Sequence, residues 1–288
     1  MTNKFLFSFL LILSLGCNTT KTTTTTTQTT PKGGKPTHAY SVTNDMYKTQ
    51  LDKYVKILGQ YPVQDSAGLQ NPPIWVGTTN FNMRKPNFVI IHHTAQNSCA
   101  ETLRTFTLEH TKVSAHYVIC RDGMVHHMLN DYLRAWHGGI GRWGNTTDIN
   151  SSSIGIELDN NGLEPFAEAQ MSSLIALLER LKTAHDIPTG NFIGHADIAP
   201  TRKNDPSIQF NWERLASKGF GHWYSDTTNL VVPNDFNPLL ALRVIGYSIK
   251  DSTAAITTFK RKFMKDEKNK KFTESDKKIL FNLALKSL

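Results

Sequence analysis

The chain has 288 residues, 39% apolar and 19% charged, enough for a buried core and too apolar for a disordered or fibrous chain. It holds no run of about eighteen apolar residues, which excludes a polytopic helical membrane protein. The net charge of +8 is concentrated, with nine basic and four acidic residues from Lys260 to Lys278. Such a run is expected on a solvated helix face, so no nucleic-acid partner is inferred.

At the amino terminus, Lys4 precedes an apolar stretch over residues 5–15. It is too short to span a bilayer and suits the core of a secretory signal peptide, expected over residues 1–16. The stretch closes on Leu13-Ser14-Leu15-Gly16-Cys17, which resembles the bacterial lipobox. That resemblance implies cleavage before Cys17, acylation of its new amino terminus, and a membrane partner through the lipid. Asn18 stands where an Asp would resemble an inner-membrane retention signal. The expected location is therefore the outer membrane of a Gram-negative bacterium, facing the periplasm. Residues 17–40 are rich in Thr and read as a flexible linker. Two further cysteines, Cys99 and Cys120, remain, and a disulfide or two buried thiols both fit an oxidising compartment.

The folded part reads as α/β. Residues 87–91 form a continuous apolar, β-branched run, expected as a central strand buried on both faces. Residues 114–119, 153–158 and 191–193 read as further strands, and residues 100–110 as a helix. A longer helix is expected over residues 168–184, where Met171, Leu174, Ile175, Leu178 and Leu181 recur at helical spacing. Strands alternating with helices predict a central mixed β-sheet flanked by helices. Val232-Pro233-Asn234-Asp235 reads as a linker, followed by three helical patterns over residues 239–245, 254–264 and 273–288. The last opens with Thr273 and carries Asp276 at the third position, a capping box. The expected division is 41–228 for the main domain and 229–288 for a small accessory binding module of three helices.

The residues that carry chemistry are spread along the chain. His92 ends the central strand, His195 follows a short strand, and Asp205 comes ten positions later. Two imidazoles and one carboxylate would leave a fourth zinc position open for water, as catalytic sites do. Spacing alone does not establish the site, because ligands this far apart match no local zinc pattern.

Five phrases, in order, add to this. They are Val89-Ile90-Ile91-His92-His93-Thr94-Ala95, Val113-Ser114-Ala115-His116-Tyr117, Ala135-Trp136-His137-Gly138-Gly139, Ser153-Ile154-Gly155-Ile156-Glu157-Leu158, and the run from Gly194-His195-Ala196-Asp197 to Lys203-Asn204-Asp205-Pro206. Together they resemble the zinc-dependent N-acetylmuramoyl-L-alanine amidases over residues 87–223. The lipobox and the three-helix carboxy-terminal segment, similar to a peptidoglycan-binding domain, favour a lipoprotein branch of that family. The resemblance implies one Zn2+ held by His92, His195 and Asp205. It also implies Glu157 as the catalytic proton carrier and Lys203 as the stabiliser of the transition state.

The activity implied is hydrolysis of the amide between N-acetylmuramic acid, or its anhydro form, and L-Ala of the peptidoglycan stem peptide, by a monomer acting on muropeptides. A non-catalytic peptidoglycan-recognition protein and an envelope tether are the alternatives. Trp136 and His137 are expected along the substrate groove, and His116 as a core histidine. His126 and His127 are expected in a hairpin. His93 departs from the Tyr or Asn frequent in relatives; strand alternation predicts that only one of the adjacent pair faces the cleft, and the phrase selects His92. Ser207 stands where Gly is common.

Overall fold

The computed structural model describes residues 40–60 and 76–288. The expected signal peptide, Cys17 and the linker up to residue 39 lie outside the described residues. The described residues fall into two units, 40–60 and 76–288. In the first, helix α1 (Ser41–Leu58) has no buried residue. No helix among the described residues is long and apolar enough to cross a membrane.

The second unit runs β1 (Phe88–His93), α2 (Cys99–Thr107), β2 (Tyr117–Ile119), β3 (Val125–His127), α3 (Ile149–Ser152), β4 (Ser153–Leu158), α4 (Glu168–His185), β5 (Phe192–Gly194), α5 (His195–Ile198), α6 (Trp212–Ala216), α7 (Pro238–Ile245), α8 (Ser252–Met264) and α9 (Glu274–Leu285). The strands form one mixed sheet in the order β3-β2-β4-β1-β5. All neighbours are parallel except β3, which pairs with β2 as an antiparallel edge. The central sheet with flanking helices is the architecture the residue pattern predicts.

Alternation along β1 assigns its residues to two cores. Val89 and Ile91 pack with Met171, Leu174, Leu178 and Leu181 of α4. Phe88 and Ile90 pack with Ile193, Ile198 and residues of α7, α8 and α9, among them Leu242, Phe259 and Leu280. A strand buried on both sides needs apolar residues at every position, which is why this segment is a continuous run. The second core continues from the sheet into the carboxy-terminal helices, which therefore share apolar surface with β1 and β5. Thr273 and Asp276 form the expected capping box of α9.

Three local features differ from, or resolve, the sequence reading. The helix over residues 100–110 ends at Thr107; residues Glu109–Thr111 form a 3-10 turn closed by Lys112 in the left-handed region. Cys99 and Cys120 form a disulfide, tying the start of α2 to the end of β2. The basic run is not all solvated. Lys260 and Lys262 of α8 are 1% and 8% exposed, because each is neutralised by buried or half-buried carboxylates.

On the α4 side, Asp131 gathers polar partners. Its carboxylate accepts from the Tyr117 hydroxyl at 2.6 Å and from His185 Nε2 at 3.1 Å. Burial would raise its pKa, but His127 at 3.6 Å and the hydrogen bonds from Tyr117 and His185 outweigh this and hold the carboxyl below the usual range. A depressed folded pKa contributes stability above the unfolded value of about 3.9, lost as pH falls through the folded value. Asp131→Asn is expected to cost about 1–3 kcal/mol at pH 7, with the deficit shrinking below pH ~4. Chemical denaturation at pH 7 and pH 3 checks this; an equal deficit at both would contradict it.

Candidate active site

Strand register builds the first half of the site. In the β1/β4 pair, Phe88 lies beside Ser153, Ile90 beside Gly155 and His92 beside Glu157, so these six share one face of the sheet. His92 and Glu157 therefore stand side by side at its carboxyl edge. On the other side of β1, β5 ends at Gly194 and α5 begins at once with His195. The loop after α5 returns, and Ala196 N–H donates to Asp205 O at 2.8 Å, which brings the Asp205 side chain back over the same edge.

Three donor atoms converge there. His92 Nδ1 is 2.9 Å from His195 Nδ1 and 3.1 Å from Asp205 Oδ2, and His195 Nδ1 is 3.0 Å from Asp205 Oδ2. All three residues are buried. Among the described residues, one other group of His, Cys, Asp or Glu side chains is clustered closely enough to hold a metal. That group is Cys99, Cys120 and His126, where the two sulfurs are bonded to each other.

The protons on these imidazoles follow from their outer partners. The Ser153 hydroxyl donates to Ile149 O at 2.6 Å, so its oxygen accepts from His137 Nε2 at 3.1 Å. His137 is driven by burial well below the ordinary histidine range, with His92 adding to the effect. Its ring is therefore neutral, and its bare Nδ1 accepts from His92 Nε2–H at 3.0 Å. Burial, then the neighbouring His195, push His92 down to about 4. Its Nδ1 accordingly bears a lone pair. His195 Nε2–H donates to Gly138 O at 3.0 Å, which in the neutral ring leaves Nδ1 bare as well.

Two bare nitrogens and a carboxylate oxygen at these separations repel one another unless a cation lies between them. The donor set, two imidazoles and one carboxylate with their outer nitrogens hydrogen-bonded, fits a catalytic zinc centre.

Beside the triad stands Glu157, 8% exposed. Its Oε1 is 3.9 Å from His92 Nδ1, and its Oε2 is buried with no hydrogen-bond partner among the described residues. Burial, reinforced by Asp205, raises its pKa to about 8. Burial would also raise the Asp205 carboxyl, but the adjoining imidazoles of His195 and His92 hold it far below the usual range. Neighbouring carboxylates with such different environments suit different tasks, one a permanent anion and the other a proton carrier.

The group lies at the floor of a cleft of about 400 Å3 lined by His93, Gln96, Phe106, Trp136, Glu157 and Lys203, among others. That volume is within the usual range for small-ligand sites.

Residues 82–208 match the family model described as N-acetylmuramoyl-L-alanine amidase. The similarity to that family is carried by these residues. Over 151 residues the chain is 34% identical to the N-acetylmuramoyl-L-alanine amidase AmiD of Escherichia coli, covering 47% of this chain and 54% of that protein. It is 39% identical over 107 residues to the 1,6-anhydro-N-acetylmuramyl-L-alanine amidase AmpD of Haemophilus influenzae, covering 37% and 58%. The chain thus spans about half the length of these curated relatives. The solved structure of E. coli AmiD with anhydro-N-acetylmuramic acid-L-Ala-D-gamma-Glu-L-Lys superposes with a TM-score of 0.64 at 27% identity, over 75% of this chain and 95% of that one. The Pseudomonas aeruginosa AmpDh3 structure, 24% identical with a TM-score of 0.64, shares the fold.

Within residues 82–208, the positions singled out in the sequence are distributed as follows. His92, His195, Asp205 and Glu157 come together, and Lys203 lines the same cleft. Trp136, 49% exposed, stands on the cleft wall. His137 also borders the cleft, but its ring is spent on His92 and Ser153, so it supports His92 and does not face outward as a groove residue would. His93 was expected to point away. It lines the cleft too, because the cleft wraps over the end of the sheet, and its Nδ1 accepts from Ser207 N–H at 3.0 Å. His116 is a core histidine, its Nδ1 accepting from Gly155 N–H.

Arg202, which no sequence motif marks, has a defined place beside the site. Its Nη2 donates to Gly138 O at 3.0 Å and Ile140 O at 2.6 Å, and so fixes the carbonyl that orients His195. An Arg next to Lys203 carries no local signal of this, since its acceptors lie more than sixty residues away.

Proposed function

We propose that the chain is a zinc-dependent N-acetylmuramoyl-L-alanine amidase that hydrolyses the amide joining N-acetylmuramic acid, or its anhydro form, to L-Ala of the stem peptide. The observation that carries this reading is the convergence of His92 Nδ1, His195 Nδ1 and Asp205 Oδ2 beside a buried Glu157 at the floor of an open cleft. The relatives named for this activity, and the muropeptide bound to E. coli AmiD, supply the substrate class.

His92, His195 and Asp205 would hold the metal, with the outer bonds to His137 and Gly138 keeping both rings aimed inward. A bound zinc supplies Lewis acidity, lowering the pKa of water from about 15.7 to about 7 and polarising a carbonyl. Glu157, standing beside the metal position, takes the proton from the attacking water and returns it to the departing amine of L-Ala, which would otherwise leave as an unstable anion. Lys203 places a positive charge in the cleft where the carbonyl oxygen of the substrate becomes negative. Trp136 offers a flat apolar wall suited to a sugar or peptide face. A binding-only protein would have no use for the buried proton carrier at Glu157, and this weighs against the recognition alternative.

Incubating the protein with anhydro-N-acetylmuramic acid-L-Ala-D-gamma-Glu-L-Lys and reading the products by mass spectrometry tests the assignment. Free tripeptide with an L-Ala amino terminus is expected; cleavage within the peptide, or none, would contradict it.

The finer reading extends to location and organisation. Residues 1–16 act as a signal peptide, Cys17 carries the lipid, and residues 17–40 tether residues 41–228 to the periplasmic face of the outer membrane. Residues 229–288 bring a peptidoglycan-binding-like module to the same substrate. Labelled palmitate entering the wild type but not Cys17→Ala would support the anchor, and equal labelling would contradict it.

A further inference from the structure

We infer that Lys262, on the carboxy-terminal helix α8, is a positioning residue for the metal ligand His195 and acts through Asp197. The inference rests on the reading of His92, His195 and Asp205 as a metal centre.

The α5 helix that carries His195 has only four residues, too short for its own hydrogen bonds to make it rigid. Its geometry is set from outside. Asp197, two residues beyond His195 and 2% exposed, accepts from Gly194 N–H at 2.8 Å through Oδ2, pinning the turn on which His195 begins. The same Oδ2 accepts from Lys262 Nζ at 2.6 Å, and Oδ1 accepts from the Tyr247 hydroxyl at 2.7 Å.

Both charge-pair members are nearly dry. Lys262 Nζ also lies 4.0 Å from the centroid of the Trp212 ring, which holds the ammonium in place. A carboxylate buried this deeply is costly without its cation. With Lys262 gone, Asp197 loses the partner that fixes its Oδ2 and is free to rotate. That rotation weakens its grip on Gly194 N–H and lets the His195 ring leave the position it shares with His92 and Asp205. The carboxy-terminal helices thus complete the metal centre from behind.

Lys260 supplies an internal control. It lies on the same helix, is equally buried and is ion-paired, but its partners Asp266 and Asp276 belong to the carboxy-terminal segment itself. Lys262→Met and Lys260→Met in the full chain therefore impose a similar loss on the helices, and only the first touches Asp197. The measurements are zinc affinity by competition with a chromophoric chelator and thermal melting of the metal-free proteins.

Lys262→Met is expected to weaken zinc binding by about 10–100-fold, with partial recovery in Lys262→Arg. Lys260→Met is expected to lower the melting temperature and leave zinc affinity near that of the wild type. If Lys262→Met fails to fold, Tyr247→Phe, which removes one hydroxyl from Asp197, is the reading, with an expected loss of about 3–10-fold. Unchanged zinc affinity in the folded Asp197-directed variants, or an equal loss in Lys260→Met, would overturn the positioning role. Failure of the wild type to bind zinc at all would overturn the metal reading itself.

Discussion

Replacing Glu157 with Gln is expected to leave zinc binding intact and to slow amide cleavage by about 10²–10⁴-fold. The side chain stands beside His92 through strand register and not through flexible packing, so the isosteric amide should occupy the same space. Its Oε1 is 3.9 Å from His92 Nδ1, close to the metal position yet outside the triad of mutually 2.9–3.1 Å donor atoms. What the substitution removes is the ability to carry a proton. Burial raises this group to about 8, so it can surrender its proton to a leaving amine near neutral pH, a task for which an ordinary surface glutamate is too acidic. A near-normal rate in Glu157→Gln would remove the residue from the mechanism, and loss of zinc would make it a ligand.

A second large effect is expected from Gly155→Ala. Gly155 lies in β4 between Ser153 and Glu157, on the face that carries the site, and a Cβ built there overlaps the His137 ring. His137 is held at both ends, by Ser153 on one side and His92 on the other, and has no room to retreat from a buried position. The methyl group is expected to destabilise the fold by about 1–3 kcal/mol. Because His137 fixes the proton on His92 Nε2, zinc affinity is also expected to fall about 10–100-fold. Chemical denaturation and chelator competition read the two effects separately. A stable variant with unaltered zinc affinity would show that His137 does not orient His92.

Much of this was legible in the sequence for identifiable reasons. The strand at residues 87–91 is buried on both faces and so must be apolar throughout. Helix α4 buries one face and shows its period. Thr273 and Asp276 mark a helix start because capping is local chemistry. The site was legible because its chemistry needs particular residue types at strand and helix ends, which leave short phrases around His92, Glu157, His195 and Asp205.

What stayed hidden depends on contacts between distant segments. Whether Cys99 and Cys120 pair could not be decided from an even count. Nothing local distinguishes Lys260 and Lys262 from their solvated neighbours, since their burial depends on carboxylates brought in by other elements. For the same reason Asp197 looked like one more residue of a phrase, and Arg202 carried no signal of its own. The helix over residues 100–110 was overextended because its last turn tightens at a left-handed Lys112, which composition does not signal.

The central claim is that His92, His195 and Asp205 hold one catalytic zinc. The most direct test measures zinc content and muropeptide cleavage together in the wild type, in chelator-treated protein, and in His92→Ala, His195→Ala and Asp205→Ala. The expected result is one zinc per wild-type chain, loss of both metal and activity on chelation or ligand substitution, and recovery of the chelated wild type when zinc is returned. Full cleavage by metal-free protein, or undiminished zinc binding in the three variants, would contradict it.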